Sequence, residues 1–287
     1  DKDANGKKCR IISPQLRPAE VGDWRPQRLT HTLFAFKGVD NSKGLAFVLT
    51  EESNWFEPLR NEKNSLLRPY ITGNDITTTA LQRIERWALD IDDKSLTDIE
   101  ATNPTAHKFL LDVVGQTRTE RDLRSYKGLA GRWWQFWNPR SSQLKHLRKK
   151  KQCIVFSRVT KHPVCMLSDS SWIYIEGVVL ISLDREDTHA ICLSSIFTEW
   201  MVAQQGAKFG VGATLRLSIR DGVETFPLPK TIVSKAGLAA AIEFDRVAVD
   251  YCKENKCGLT EFMNEVGNPT CNGLHIAAAR KLLKEID

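Results

Sequence analysis

Apolar and polar positions divide this 287-residue chain into three stretches of different character. From Arg28 to about Ile91 the pattern is strand-rich. Leu33 to Phe36, Leu45 to Leu49 and Ala88 to Ile91 are short apolar runs, and Val39 to Gly44 is a turn between the first two. Glu51 to Arg60 predicts a short helix stopped near Pro58. Asn103-Pro104 predicts a helix start, with Asn as cap and Pro at the first helical position, leading into Phe109, Leu110, Val113 and Val114.

After Lys151 the period shortens. Cys153 to Val159, Val164 to Leu167 and Trp172 to Leu183 predict three strands, with turns at Lys161-His162-Pro163 and Asp169-Ser170-Ser171. Ser194-Ser195 then caps a helix carrying Ile196, Phe197, Trp200 and Met201, which Gly206 ends. Glu224 to Pro229 predicts a strand finished by its two prolines. Beyond residue 230 the spacing turns helical. Ser234 caps a helix through Leu238, Ala241, Ile242, Asp245 and Val249, and Leu259 to Val266 and Leu274 to Ile286 add two more. The expectation is an α+β fold, a mixed sheet with flanking helices followed by a small all-helical tail, with divisions at 1–100, 101–230 and 231–287.

Composition narrows the class. With 41% hydrophobic and 26% charged residues the chain is neither disordered nor fibrous. Its longest apolar stretches, Gly177 to Leu183 and Leu238 to Ile242, fall far short of the roughly 18 residues that span a bilayer. A soluble, cytoplasmic protein with no membrane partner is expected. No Cys pair has C-x-x-C spacing, and Cys252 and Cys257 have a His neighbour only in distant His275. The seven cysteines are therefore expected to be reduced thiols rather than a zinc knuckle.

The net charge of +6 is unevenly placed. Arg118 to Lys151 holds eleven basic residues against Glu120 and Asp122, a local +9 that leaves −3 for the rest. The same segment contains Trp133, Trp134, Phe136 and Trp137. Cations interleaved with aromatic rings suit a phosphate backbone, because the cations displace condensed counterions and the rings stack. The run also fits a solvated helix capped by Ser141-Ser142, with Leu144 and Leu147 inward and Lys145, Arg148, Lys149 and Lys150 outward. At least two of the three Trp are expected to be buried in either case.

Catalytic signatures are weak. The G-x-G of Phe209 to Gly212 neither follows a clear strand nor opens a clear helix, so it predicts a turn. Asp90, Asp92 and Lys94 have the spacing of a metal-dependent nuclease, and also that of an acidic turn after a strand. No catalytic, cofactor or metal residue is assigned.

Seven segments occur in an order that resembles the C-terminal part of large type II restriction-modification proteins of the IIG/IIL kind. In these an adenine-N6 DNA methyltransferase precedes a target-recognition domain and a helical tail. The segments are Gly44 to Thr50; Arg68 to Asp75 with Arg86 to Asp90; Arg132 to Phe136 leading into Leu144 to Leu147; and Ile154 to His162. Then follow Ser195 to Trp200 with Gln205-Gly206; Glu224 to Pro229; and Gly258 to Asn264 with Ala278 to Asp287. The resemblance implies a connecting spacer over 1–100, a target-recognition domain over 101–230 and a helical domain over 231–287.

It also implies double-stranded DNA and an upstream methyltransferase domain as partners. No Asn-Pro-Pro-aromatic motif is present, since Asn103-Pro-Thr, Asn138-Pro-Arg and Asn268-Pro-Thr do not fit. The core that would use S-adenosylmethionine is therefore expected upstream of Asp1. Phosphate contacts are expected from Arg132, Arg140, Lys145, Arg148, Lys149, Lys150 and Lys151, and base contacts from Arg158, Thr160, Lys161, His162, Arg216 and Arg220. A nuclease using Asp90, Asp92 and Lys94, or a non-catalytic protein-interaction domain, are the alternatives.

Overall fold

The computed structural model describes residues 29, 31–41, 45–118, 120–204, 208–209 and 214–287. The turn residues Ser42 to Gly44, the Gln205-Gly206 helix stop, the glycines of the G-x-G turn and Cys9 lie outside them. Among the described residues the eleven strands in chain order are β1 (Ala35–Lys37), β2 (Val48–Leu49), β3 (Leu67–Ile71), β4 (Trp87–Leu89), β5 (Gln152–Ser157), β6 (Val159–Thr160), β7 (Cys165–Asp169), β8 (Ile173–Tyr174), β9 (Val178–Ser182), β10 (Lys208–Phe209) and β11 (Thr214–Arg216).

They form three sheets. The central one has the order β1-β9-β5-β7, antiparallel throughout, and the second is the antiparallel ribbon β10-β11-β6. In the third, β2-β4-β3-β8, β8 joins parallel to β3. The chain is thus α+β with a mixed sheet, as its periodicity predicts. Strands from both sides of residue 100 share two of these sheets, so sheet pairing does not respect that division. One hydrophobic cluster runs from Leu33 to Ile286, because β5 and β9 are covered on both faces.

The helical tail consists of Lys235–Asn255, Leu259–Gly267 and Leu274–Ile286. Ser234 caps the first by accepting the Gly237 N–H at 3.1 Å. Asp245 on that helix accepts the N–H of Leu167 at 2.7 Å, satisfying a donor on edge strand β7, and lies 3.3 Å from His189. No described helix is long and apolar enough to cross a membrane.

Several elements depart from the periodicity. Leu45–Phe47 is a 3-10 turn, so the strand begins only at Val48. The first short helix starts at Phe56, and Pro58 sits inside its first turn, where a missing N–H costs nothing. The predicted strand Trp172 to Leu183 is two strands, broken where the Val178 N–H turns back to the Ile175 carbonyl at 2.8 Å. Ser141 and Ser142 open a helix (Ser141–Leu147) without capping it, because Arg140 precedes it at φ 59°. Glu224 to Pro229 is no strand. A 3-10 turn (Val223–Thr225) leads into extended chain, where Pro227 and Pro229 have no N–H to give a ladder.

Of the aromatic group, Phe136 is buried, with its ring 5.0 Å from that of Phe47. Trp133, Trp134 and Trp137 are all half-buried, fewer buried Trp than expected. An indole N–H needs a partner, and Trp134 finds its own at the fold's edge by donating to the Lys94 carbonyl at 2.9 Å.

Candidate nucleic-acid interface

The main sheet hands the chain to the ribbon at Arg158. Its N–H donates to Gly177 at 2.8 Å and its carbonyl accepts the Leu217 N–H at 2.8 Å, so this backbone is held between β9 and β11. Across the ribbon, Leu215 pairs with Thr160 and Arg216 with Val159. Opposite residues of an antiparallel pair point to the same face. Leu215 and Thr160 are buried, whereas Arg216 and Val159 are exposed.

Lys37, at the end of β1, completes a cleft of ≈ 390 Å³ lined by Arg158, Arg216, Arg220, Asp221 and Glu224. Gly38 sets its position: a Cβ there would lie 2.1 Å from the Tyr174 carbonyl oxygen, so only glycine lets β1 approach β8 this closely.

The cleft concentrates positive charge. Burial lowers the Lys37 ammonium below its usual range, Arg158 adds to the effect, and Arg140 and Arg216 act in the same sense, with Glu176 opposing. Burial also lowers Arg158, with Arg216 adding to it and Glu176 opposing. Lys37 and Arg158, each partly buried with Arg216 beside it, are an arrangement an anion relieves.

The expected contact residues divide into three groups. Arg158, Arg216 and Arg220 come together in the cleft. Lys145, Lys149, Lys150 and Lys151 are exposed on and after the Ser141–Leu147 helix, and half-buried Arg140 at its start acts on Lys37. The third group is occupied within the fold. The Arg132 guanidinium donates to the carbonyls of Phe136 at 3.0 Å and Trp137 at 2.6 Å, and Arg148 pairs with Asp90 at 2.8 Å. The buried Thr160 hydroxyl donates to the His162 carbonyl at 2.7 Å. Lys161 Nζ (2.6 Å) and His162 Nε2 (2.9 Å) both meet Oδ1 of Asn264 in the tail. The 158–163 turn thus sends Arg158 into the cleft and Lys161 and His162 towards the tail.

Lys37 and Val159 are the residues that sequence reasoning missed. The one available signal was a lone lysine closing the apolar run Leu33 to Phe36, immediately before a glycine.

Asp90 and the Lys94 backbone are engaged within the fold. Burial pushes the Asp90 carboxyl up, with Arg148 pulling it back down, and Asp92 occupies a left-handed turn at φ 57°. The Lys94 carbonyl receives both Trp134 Nε1 and Gln135 Nε2. Among the described residues, no group of three or more His, Cys, Asp or Glu side chains is placed to hold a metal ion. The six described cysteines are free, and five are buried. Burial pushes the Cys153 thiol up to about 12.

Fold and cleft together define an α+β module that presents a cationic ribbon edge to solvent. No protein-family model and no curated protein sequence matches the chain. The fold is shared with a solved structure, that of the Type IIL restriction-modification enzyme MmeI in complex with DNA, at TM-score 0.61 and 16% identity. The match covers 97% of this chain and 36% of that one, so this chain spans about a third of the length of MmeI.

Proposed function

We propose that this chain is the double-stranded-DNA recognition region of a restriction-modification adenine-N6 methyltransferase. The observation that carries the reading is the convergence of Lys37, Arg158, Arg216 and Arg220 on one cleft, in a fold shared with an enzyme solved on DNA. A methyltransferase must extrude its target base, and a separate module gripping the flanking sequence makes that cost selective. Lys145, Lys149, Lys150 and Lys151 contact phosphates and set register, while Arg158 and Arg216 at the ribbon and Arg220 in the turn after it read base edges, Arg to guanine O6/N7. The methyl donor, S-adenosylmethionine, acts in a catalytic domain of the same longer protein.

The test is titration of labelled duplex at about 50 and 200 mM salt, where each phosphate neutralised steepens the salt dependence by about 0.9 log units per decade. Arg158→Ala and Arg216→Ala change which duplexes are preferred, whereas charge reversal at Lys149, Lys150 and Lys151 weakens all duplexes alike. Salt-insensitive binding, or an equal loss on every duplex for both sets, refutes the reading.

A further inference from the structure

Val159 is 53% exposed, on the solvent face of the ribbon, whereas its neighbour Thr160, on the opposite face, is 5% exposed. It points from the ribbon beside its cross-strand partner Arg216 and follows Arg158 directly in the chain. An exposed apolar side chain opposite an exposed arginine gains little from folding and leaves an apolar spot on a cationic edge. The surrounding charge selects a polyanion. The edge pair of the ribbon, β11 and β6, presents Arg216 and Val159 as a β-ribbon does when it enters the major groove of B-DNA, where thymine alone presents a methyl group at its edge.

We infer that Val159 reads the 5-methyl group of a thymine next to the base contacted by Arg216. This rests on the DNA-recognition reading and deepens it by naming one element of the sequence read. Opposite residues of such a pair have Cβ atoms about 4.5–5.5 Å apart, close enough for their side chains to meet the same or adjacent base pairs. Valine is stiff at χ1, so little conformational freedom is lost when it seats against the methyl.

The experiment selects preferred duplexes from a random library with the full chain, then replaces each thymine singly by deoxyuridine, which pairs identically and lacks only the methyl. One replacement should weaken wild-type binding about fourfold, the worth of one methyl-sized group removed from water. Val159→Ser, which keeps its fold because the position is exposed, should bind thymine and deoxyuridine forms equally. Three outcomes overturn the inference alone: preferred duplexes without thymine, wild-type binding indifferent to every replacement, or the same fourfold dependence in Val159→Ser. Failure to bind any duplex at low salt overturns the DNA-recognition reading, and this inference with it.

Discussion

Arg148 and its neighbours Lys149, Lys150 and Lys151 are four consecutive cations with different work, and substituting them separately exposes the difference. Arg148 Nη2 lies 2.8 Å from Asp90 Oδ2, with the two side chains only 24% and 16% exposed. Arg148→Met leaves that carboxylate enclosed and unpaired. Exposed pairs contribute under about 1 kcal/mol and breaking a fully buried pair costs about 3–5 kcal/mol, so this partly enclosed pair should cost on the order of 2 kcal/mol. The thermal midpoint should fall by about 5 °C, while the salt dependence of duplex binding stays that of the wild type.

The triple change Lys149→Gln, Lys150→Gln and Lys151→Gln should do the reverse. The three side chains are exposed, so stability holds. If each neutralises one phosphate, the slope of log affinity against log salt flattens by about 2.7, and wild-type binding loses about fortyfold more than the variant between about 50 and 200 mM salt. Calorimetry and fluorescence anisotropy on the same preparations measure both quantities. An Arg148→Met protein whose slope flattens by about 0.9 at an unchanged midpoint would refute the division, as would a triple variant with the wild-type slope.

Gly38→Ala forces a Cβ to within 2.1 and 2.4 Å of two backbone oxygens, of Tyr174 and Ile175. Backbone must move, at about 1–3 kcal/mol in urea unfolding, and duplex affinity should fall as well because Lys37 shifts with β1. Asp187 is enclosed, which by itself pushes its carboxyl up, but the Arg185 guanidinium and the Val233 N–H hold it below the usual range. A depressed carboxyl stabilises the fold above its unfolded value near 3.9 and loses that contribution as pH falls through the folded value. Asp187→Asn should therefore be less stable at pH 7 and show a shallower decline in melting temperature below about pH 4; an unchanged decline counts against the ion pair.

Local signals in the sequence specify much of the fold. Ser194 and Ser234 cap the helices that follow them, Asn103-Pro104 opens another, and the runs around Cys153 and Val178 become the buried strands β5 and β9. Hydrophobic spacing and capping act within a few residues, so they can be read without knowing what lies opposite. What ends a strand is less local. Arg158 leaves the main sheet because distant Gly177 and Leu217 take its backbone groups, and no property of residues 153–159 announces that.

The candidate site shows the same limit. The charge count pointed to Arg118 to Lys151, yet two of that segment's cations, Arg132 and Arg148, are occupied by carbonyls and by Asp90. Lys161 and His162 looked like free donors on a turn, until the helical tail brought Asn264 against them.

The sequence by itself determined which residue types are present, where the helices and buried strands run, and that positive charge exceeds negative. Only the tertiary structure decided which cations remain available. Availability depends on pairing between residues far apart in the chain: Lys37 meets Arg158 and Arg216 because β1 joins β9 and the ribbon folds back on the 158–160 segment. The energy of a charge depends on its nearest neighbours in space, and for this cleft none of those neighbours could be read from the spacing along the chain.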